Sequence, residues 1–599
     1  MVDRNNPSFI WPALVEKAYL KVRGGYNFPG SNSGTDIWVL TGWIPEQVFL
    51  HDDVMTSEQL WKYLFKAFHD GDVLLTVGTG SLSKTEQAGF GLISDHDYAI
   101  LDMKESDGGR RLLLVKNPWW QQTHNITPLA NDLRVDSRSP GSAWIDCERI
   151  LQHFENMYLN WNPKLFAYRQ DIHFTWHLST ERAVAGCFVK NPQIAVSCHG
   201  KTGGTVWLLV GKHFRTNSSA TNQTTANEFI SIYIFKVDGK RVSLSDAKAL
   251  HRGPYVDSPN TLAKIDMPPN TTYTVVISEQ SLPPVSQSFT LSAFSPTCPM
   301  KVALAQDKYP HITKIRGSWT RDTAGGNTES ARYAWNPQFS MQVTATTSAS
   351  ILLEPADADL ATHIKLFYSN KSNIGKRVSR VRTRDIVTDS GDYRRGGSLA
   401  ETDNRKTITH NKQLVAGTYT IVCSTFAPDQ LGQFTLWIST TTPNTIVKSL
   451  SAETAGRRST RSTLGILPPG KDRMLAPLRV PRLTRVNLIA QPRFSTGRTS
   501  PVLLMTVELG QGPYKEVLTS SENGVHVDAA SGIRIEDLDL WPEMEGGKGK
   551  GKEKSNGSGT GIWIVIERIG GPGGQVEDHL DVEVLAEERV DVGDWIVDD

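Results

Sequence analysis

The sequence predicts a mainly β protein with an α+β segment at its N-terminus, and three observations predict it. Clear helical periodicity is confined to the first part of the chain. From about residue 170 onward, short runs rich in Val, Ile, Thr and aromatics alternate with Pro, Gly, Asn and Ser clusters, the pattern of β-sandwiches. A strand–turn–strand segment then recurs at a domain-sized interval, which points to tandem sandwiches.

Trp11, Leu14, Val15, Ala18, Tyr19 and Val22 fall on one helical face, so Trp11 to Val22 is read as an amphipathic helix. The glycine-rich stretch from Gly24 to Gly34 is read as loop. Glu58 to His69 is a second helix, and Asp72–Val77, His96–Met103 and Arg111–Lys116 are strand-like. Farther on, Thr272–Ser278, Pro283 and Gln287–Leu291 resemble Thr418–Ser424, Pro428 and Gln433–Leu436. The tyrosines of the two copies lie 146 residues apart and the phenylalanines 145, so one residue has been gained or lost between them. Gly561–Ile566 and Leu580–Val584 suggest a third copy. Ser449–Arg473 reads as a linker, and the Gly-Lys alternation of Glu545–Gly561 as a low-complexity insert. The acidic stretch from Glu577 alternates with Val, Leu and Ile, as a strand with one solvated face does; an acidic interaction tail is the alternative.

At 599 residues the chain exceeds a single core, and about three to five domains are expected. A net charge of +1 supplies no electrostatic case for nucleic acid or a membrane surface. No apolar run reaches the roughly 18 residues that span a bilayer, and Met1–Pro12 lacks the pattern of a signal peptide. The five cysteines (Cys147, Cys187, Cys198, Cys298, Cys423) form no C-x-x-C pair, so reduced, cytosolic thiols are expected.

Chemistry enters at one hairpin. His96–Met103 and Arg111–Lys116 flank the turn-forming cluster Glu105-Ser106-Asp107-Gly108-Gly109. Centred between Ser106 and Asp107, an antiparallel pairing sets residue i against residue 213 minus i, which places His96 opposite Asn117. An asparagine that accepts a ring N–H fixes the tautomer and orientation of an imidazole, the role of the third member in Cys-His-Asn proteases. Trp119, two residues on, could shield that bond.

Ser94-Asp95-His96-Asp97-Tyr98-Ala99-Ile100-Leu101-Asp102 followed by Leu114-Val115-Lys116-Asn117-Pro118-Trp119 resembles the second catalytic subdomain of the calpain family of cysteine proteases. Trp11–Tyr19, Gly24–Tyr26, Gly30–Ser33, Leu40–Glu46 and Asp70–Val73 carry the same resemblance in the same order. Leu159–Pro163, Gly317–Trp319 and Ser390–Gly397 resemble the β-sandwich modules that follow a calpain protease core. Two such modules without a D-x-[DN]-x-[DN]-G calcium loop are similar to the atypical calpains, including the PalB-like branch of fungi.

The resemblance implies a partial papain-like subdomain at 1–166 and calpain-type, C2-like sandwiches at 167–300 and 301–446. A linker at 447–475 and a third sandwich at 476–599, carrying the 545–561 insert, complete the expected organisation. It implies His96 as general base and Asn117 as its orienter. Implied partners are protein substrates, a zinc-finger transcription factor in ambient-pH signalling and endosomal sorting complexes, with a cytoplasmic, endosome-associated location. The resemblance assigns no certain cofactor, and calcium dependence stays open because the sandwiches look C2-like without convincing aspartate loops.

Two departures stand out. The family usually has Gly before the catalytic His, where this chain has Asp95. Its nucleophilic cysteine precedes the His, yet no cysteine lies among the 95 residues before His96. The expectation is an N-terminally truncated calpain that is inactive alone. The alternative is a non-catalytic scaffold that binds through its sandwiches.

Overall fold

The computed structural model describes residues 8–26, 30–51, 56–106, 108–118, 142–182, 184–214, 228–245, 248–330, 332–369, 377–378, 381–402, 413–450, 459–493, 500–530, 532–542, 561–569, 576–586 and 588–598. They form two compact units: Met1–Ala183 with Phe188–Asp307, and Val184–Cys187 with Lys308–Asp599. No described helix is long and apolar enough to cross a membrane.

The first unit begins with α1 (Trp11–Val22), α2 (Ser33–Thr41), β1 (Ile44–Phe49), α3 (Ser57–His69), β2 (Val73–Gly78) and α4 (Lys84–Phe90). Next come β3 (Asp97–Glu105), β4 (Arg111–Lys116), β5 (Ser142–Asp146), α5 (Cys147–His153) and β6 (Asn156–Trp161). The six strands form one sheet in the order β1-β6-β2-β3-β4-β5. Leu60, Trp61 and Leu64 of α3 and Ile150 of α5 pack on Leu75, Val77, Tyr98 and Leu159 of the sheet.

Helix α1 has the bounds its periodicity predicts, and α3 starts one residue early on a capping box between Thr56 and Gln59. Helix α2 lies where no helix was expected. Its N-cap is Asn32, whose side chain accepts from Thr35 N, and Gly42 ends it in a left-handed conformation. The short α4 starts on a second capping box, Ser83 with Glu86.

The rest of this unit is a nine-stranded sandwich: β7 (Tyr168–His177), β8 (Gln193–Cys198), β9 (Gly204–Lys212), β10 (Phe229–Phe235), β11 (Ala249–Arg252), β12 (Asn260–Met267), β13 (Thr272–Gln280), β14 (Ser286–Ser295) and β15 (Met300–Leu304). Its sheets run β11-β10-β13-β8-β15 and β12-β9-β14-β7.

The second unit holds two more sandwiches. The first has β16 (His311–Trp319), β17 (Gln338–Val343), β18 (Ala349–Pro355), β19 (Thr362–Tyr368), β20 (Ile386–Asp389), β21 (Ser398–Glu401), β22 (Gly417–Thr425), β23 (Gly432–Thr440) and β24 (Ile446–Leu450). The other has β25 (Ser459–Leu467), β26 (Arg473–Arg479), β27 (Thr484–Pro492), β28 (Val502–Leu509), β29 (Glu516–Ser520), β30 (Val527–Asp528), β31 (Ile533–Leu540), β32 (Ile562–Arg568), β33 (Asp578–Ala586), β34 (Asp591–Val592) and β35 (Ile596–Val597). Their main sheet paths, β20-β19-β22-β17-β24 with β16-β23-β18-β21 and β29-β28-β32-β26-β34 with β25-β33-β27-β31, repeat the topology of the first sandwich.

The duplicated strand pairs are therefore β13/β14, β22/β23 and β32/β33. In each pair the second strand crosses to the opposite sheet instead of closing a hairpin. The first two copies also share a polar staple. Gln193 Nε2 donates to Phe188 O and Val242 O while its Oε1 accepts from Val242 N, and Arg241 forks over Val189 O and Asn191 O. Gln338 and Arg377 repeat this on Ala334 O, Val378 and Asn336 O. Asn-Pro-Gln at 191–193 and 336–338 and Gly-Lys-Arg-Val at 239–242 and 375–378 carry that repeat in the sequence.

Two expectations change. The stretch 447–475, expected as a linker, contains all of β25 and the start of β26. Cys198 and Cys298, expected as thiols, are joined in a disulfide; β8 and β15 pair Cys198 with Met300 and so bring the two together. Most of the 545–561 insert lies outside the described residues.

Candidate active site

Strand β3 and the turn before it carry His96. Thr79, just past β2, grips its backbone: His96 N donates to Thr79 Oγ1 at 3.0 Å and Thr79 N donates to His96 O at 3.0 Å. The Thr79 hydroxyl donates to Ile93 O at 2.6 Å, which ties both ends of the 93–96 turn to one residue. Asp95 sits in that turn at φ 52°, a left-handed conformation that glycine adopts readily and aspartate tolerates. Its exposed carboxylate accepts the Ser94 hydroxyl at 2.8 Å.

His96 Nε2 lies 3.0 Å from Asn117 Oδ1, and Asn117 is 6 % exposed. A carbonyl oxygen can only accept, so this contact puts a proton on Nε2, and in the neutral ring the lone pair is then on Nδ1. The imidazole and Tyr98 pack edge to face, with ring centroids 5.0 Å apart at 85°, and Tyr98 OH accepts from Ile93 N. The ring is thus held by an amide, an aromatic wall and a fixed backbone, an arrangement that suits a general base.

The two residues meet by a different register from the one expected. Near the turn, β3 and β4 pair Glu105 with Arg111 and Met103 with Leu113, so partner numbers sum to 216. Beyond a bulge between Ile100 and Asp102 the pairs are Ile100–Val115 and Ala99–Lys116, which sum to 215. His96 and Asn117 sum to 213. Extended straight from the turn, the register would put them an odd number of residues out of step and on opposite faces. The bulge changes the parity, so they become same-face diagonal neighbours within side-chain reach. Burial records the switch: Tyr98 and Ile100 point inward before the bulge, Met103 after it, and Leu101 is 42 % exposed. Trp119 lies outside the described residues.

Next to His96, the half-buried carboxylate of Asp97 accepts from Ser33 N, in the first turn of α2, at 2.7 Å. Burial pushes this carboxyl above its usual range, and the Ser33 N–H opposes the shift. Ser33 Oγ also meets Thr76 Oγ1 at 2.5 Å, so α2 is pinned to both β2 and β3. Sequence reasoning missed Asp97, Thr79 and α2 as parts of the site. The Asn32 cap, Asp36 in the first turn and Gly42 were the available helix signals.

Cys198 and Cys298 are bonded to each other, and Cys147, Cys187 and Cys423 are buried. Burial, reinforced by Glu148 and Asp146, pushes the Cys147 thiol up to about 12. Burial alone raises Cys423 strongly.

Comparison with known proteins identifies the family and fits the fold. Residues 1–159 match the calpain family cysteine protease model and residues 315–438 match calpain large subunit domain III. Residues 453–599 match the C-terminal domain of calpain-like protease palB-like proteins. The chain is 61 % identical to calpain-like protease palB/RIM13 of Aspergillus oryzae and 59 % identical to calpain-like protease palB of Emericella nidulans; each alignment covers 100 % of this chain and 68 % of the relative. Human calpain-7 is 32 % identical over 72 % of this chain and 54 % of its own length. The chain belongs to the PalB-like calpain family of cysteine proteases.

Proposed function

We propose that this chain carries the histidine–asparagine half of a calpain-type endopeptidase site and does not hydrolyse peptides on its own. The 3.0 Å contact between His96 Nε2 and Asn117 Oδ1 carries the reading. In this reading a cysteine outside these residues supplies the thiol, and His96 Nδ1 takes its proton. The thiolate adds to the scissile carbonyl carbon, and the imidazolium protonates the departing amine as the C–N bond breaks. Water then adds to the thioester as His96 removes its proton, and the thiol leaves with the proton returned. Asn117 keeps Nδ1 aimed through both halves by holding Nε2–H.

The organisation proposed for the chain is a papain-like subdomain followed by three calpain-type sandwiches. The relatives' names as proteases favour a protein substrate. Family likeness extends the proposal to limited proteolysis in ambient-pH signalling, with a zinc-finger transcription factor as substrate and endosome association. The test is peptide hydrolysis by the purified chain alone and after addition of a separately expressed cysteine-bearing subdomain from a palB relative. Turnover only in the mixture is expected. Turnover by the chain alone, or none in a mixture shown to assemble, would overturn the proposal.

A further inference from the structure

Strand β12 is an edge strand, and its alternate residues Asn260, Leu262 and Lys264 share one face of the first sandwich. That face lies against the N-terminal segment of the same compact unit. Lys264 Nζ bonds Glu46 Oε2 of β1 and Tyr63 OH of α3, both at 2.6 Å, and sits 3.9 Å from the Trp207 ring centroid. Glu46 Oε2 also accepts from Trp161 Nε1 of β6 at 2.6 Å. Leu262 packs into the cluster that contains Ile44, Trp161 and Leu159.

At the other end of the strand, Asn260 Nδ2 donates to Thr35 Oγ1 at 3.2 Å, and Thr35 is 1 % exposed. Thr35 N donates to Asn32 Oδ1 at 2.8 Å, which caps α2, and Asn32 Nδ2 reaches back to Ser258 Oγ at 3.5 Å. The next residue along, Ser33, gives its N–H to Asp97 beside His96.

From this continuous set of contacts we infer that Asn260 and Thr35 are positioning residues for His96: β12 sets the N-terminus of α2, and α2 sets Asp97 and the strand that carries the histidine. The first sandwich is then a working part of the site. The inference rests on the reading of His96 as the base, but the placement it describes can be tested without hydrolysis.

The experiment records the His96 13Cε1–1H resonance in the full chain. Thr35→Val removes the acceptor at nearly constant shape and is expected to displace the His96 signal. Thr35→Ser keeps the hydroxyl and is expected to leave the signal at its wild-type position. Asn260→Ala, at a half-buried site, should reproduce the Thr35→Val displacement, and the double variant should move no farther than either single one. His363, in the other compact unit, should stay fixed throughout. An unmoved His96 signal in both Thr35→Val and Asn260→Ala, or an equal displacement by Thr35→Ser, overturns the inference. If the shifts appear while the complemented protein shows no hydrolysis, the protease reading fails and this one stands.

Discussion

Replacing His363 by phenylalanine should remove a block of acid sensitivity from the second sandwich. His363 lies in β19, is 2 % exposed and stacks on Tyr393 at 4.8 Å. Burial, helped by the Lys365 charge, pushes its pKa from 6.5 down to about 4, against the opposing pull of Asp389 and Asp392. The folded value lies below the unfolded one, so the unfolded chain binds the proton more readily and stability falls as pH drops from 6.5 toward 4. At ~1.36 kcal/mol per pH unit, the loss between pH 7 and pH 4.5 comes to about 2–2.5 kcal/mol. The substituted phenyl ring would keep the stack on Tyr393 and carry no proton. Hydrogen exchange of the β19 and β22 amides across a urea series at both pH values isolates this sandwich from the rest of the chain. Carboxylates contribute equally to both proteins, so the difference between them is the quantity of interest. Equal losses in wild type and His363→Phe between pH 7 and 4.5 would refute the reasoning.

Asp95→Gly should stabilise the first unit by about 0.5–1 kcal/mol by relieving a left-handed residue, less the small loss of an exposed bond from Ser94; its melting temperature checks this. Gly78→Ala would place a methyl group 2.6 Å from Asp97 Oδ1 and should cost ~1–3 kcal/mol by overpacking, read from denaturant melts of the same unit. Arg377→Lys should cost about 1–2 kcal/mol in the second sandwich, because an ammonium cannot fork over Ala334 O and Asn336 O as the guanidinium does; Arg241→Lys should do the same in the first, again by melts.

Much of the architecture was legible because local signals and packing agree. The face spaced from Trp11 to Val22 gave α1 its bounds, and β4 matches the apolar run of Arg111–Lys116. The acidic stretch after Glu577 does contribute a strand, β33, whose Leu580, Val582 and Val584 point into the core. Helix α2 was hidden because Ile37, Trp38 and Val39 read as strand formers and a glycine-rich loop precedes them. The start of the third sandwich was obscured by Ser, Thr and Arg residues that suggest a linker but pair as β25 along β33.

The contact between His96 and Asn117 was legible in the sequence, and its geometry was not. His96 and Asn117 could be paired from the hairpin, but the bulge after Ile100 has no glycine to announce it. Without it the pair would sit on opposite faces, so their contact depends on a feature that the hairpin reading did not contain. The Cys198–Cys298 bond carried no sequence signal, because residues separated by 100 positions are joined only by the sandwich topology.

The most direct measurement is the 15N spectrum of the His96 ring, recorded where the imidazole is neutral, in wild type and Asn117→Ala. An oriented base predicts a proton on Nε2, a bare Nδ1, and a mixture of tautomers once the asparagine carbonyl is gone. A proton on Nδ1 in the wild type, or a tautomer indifferent to Asn117, would contradict it.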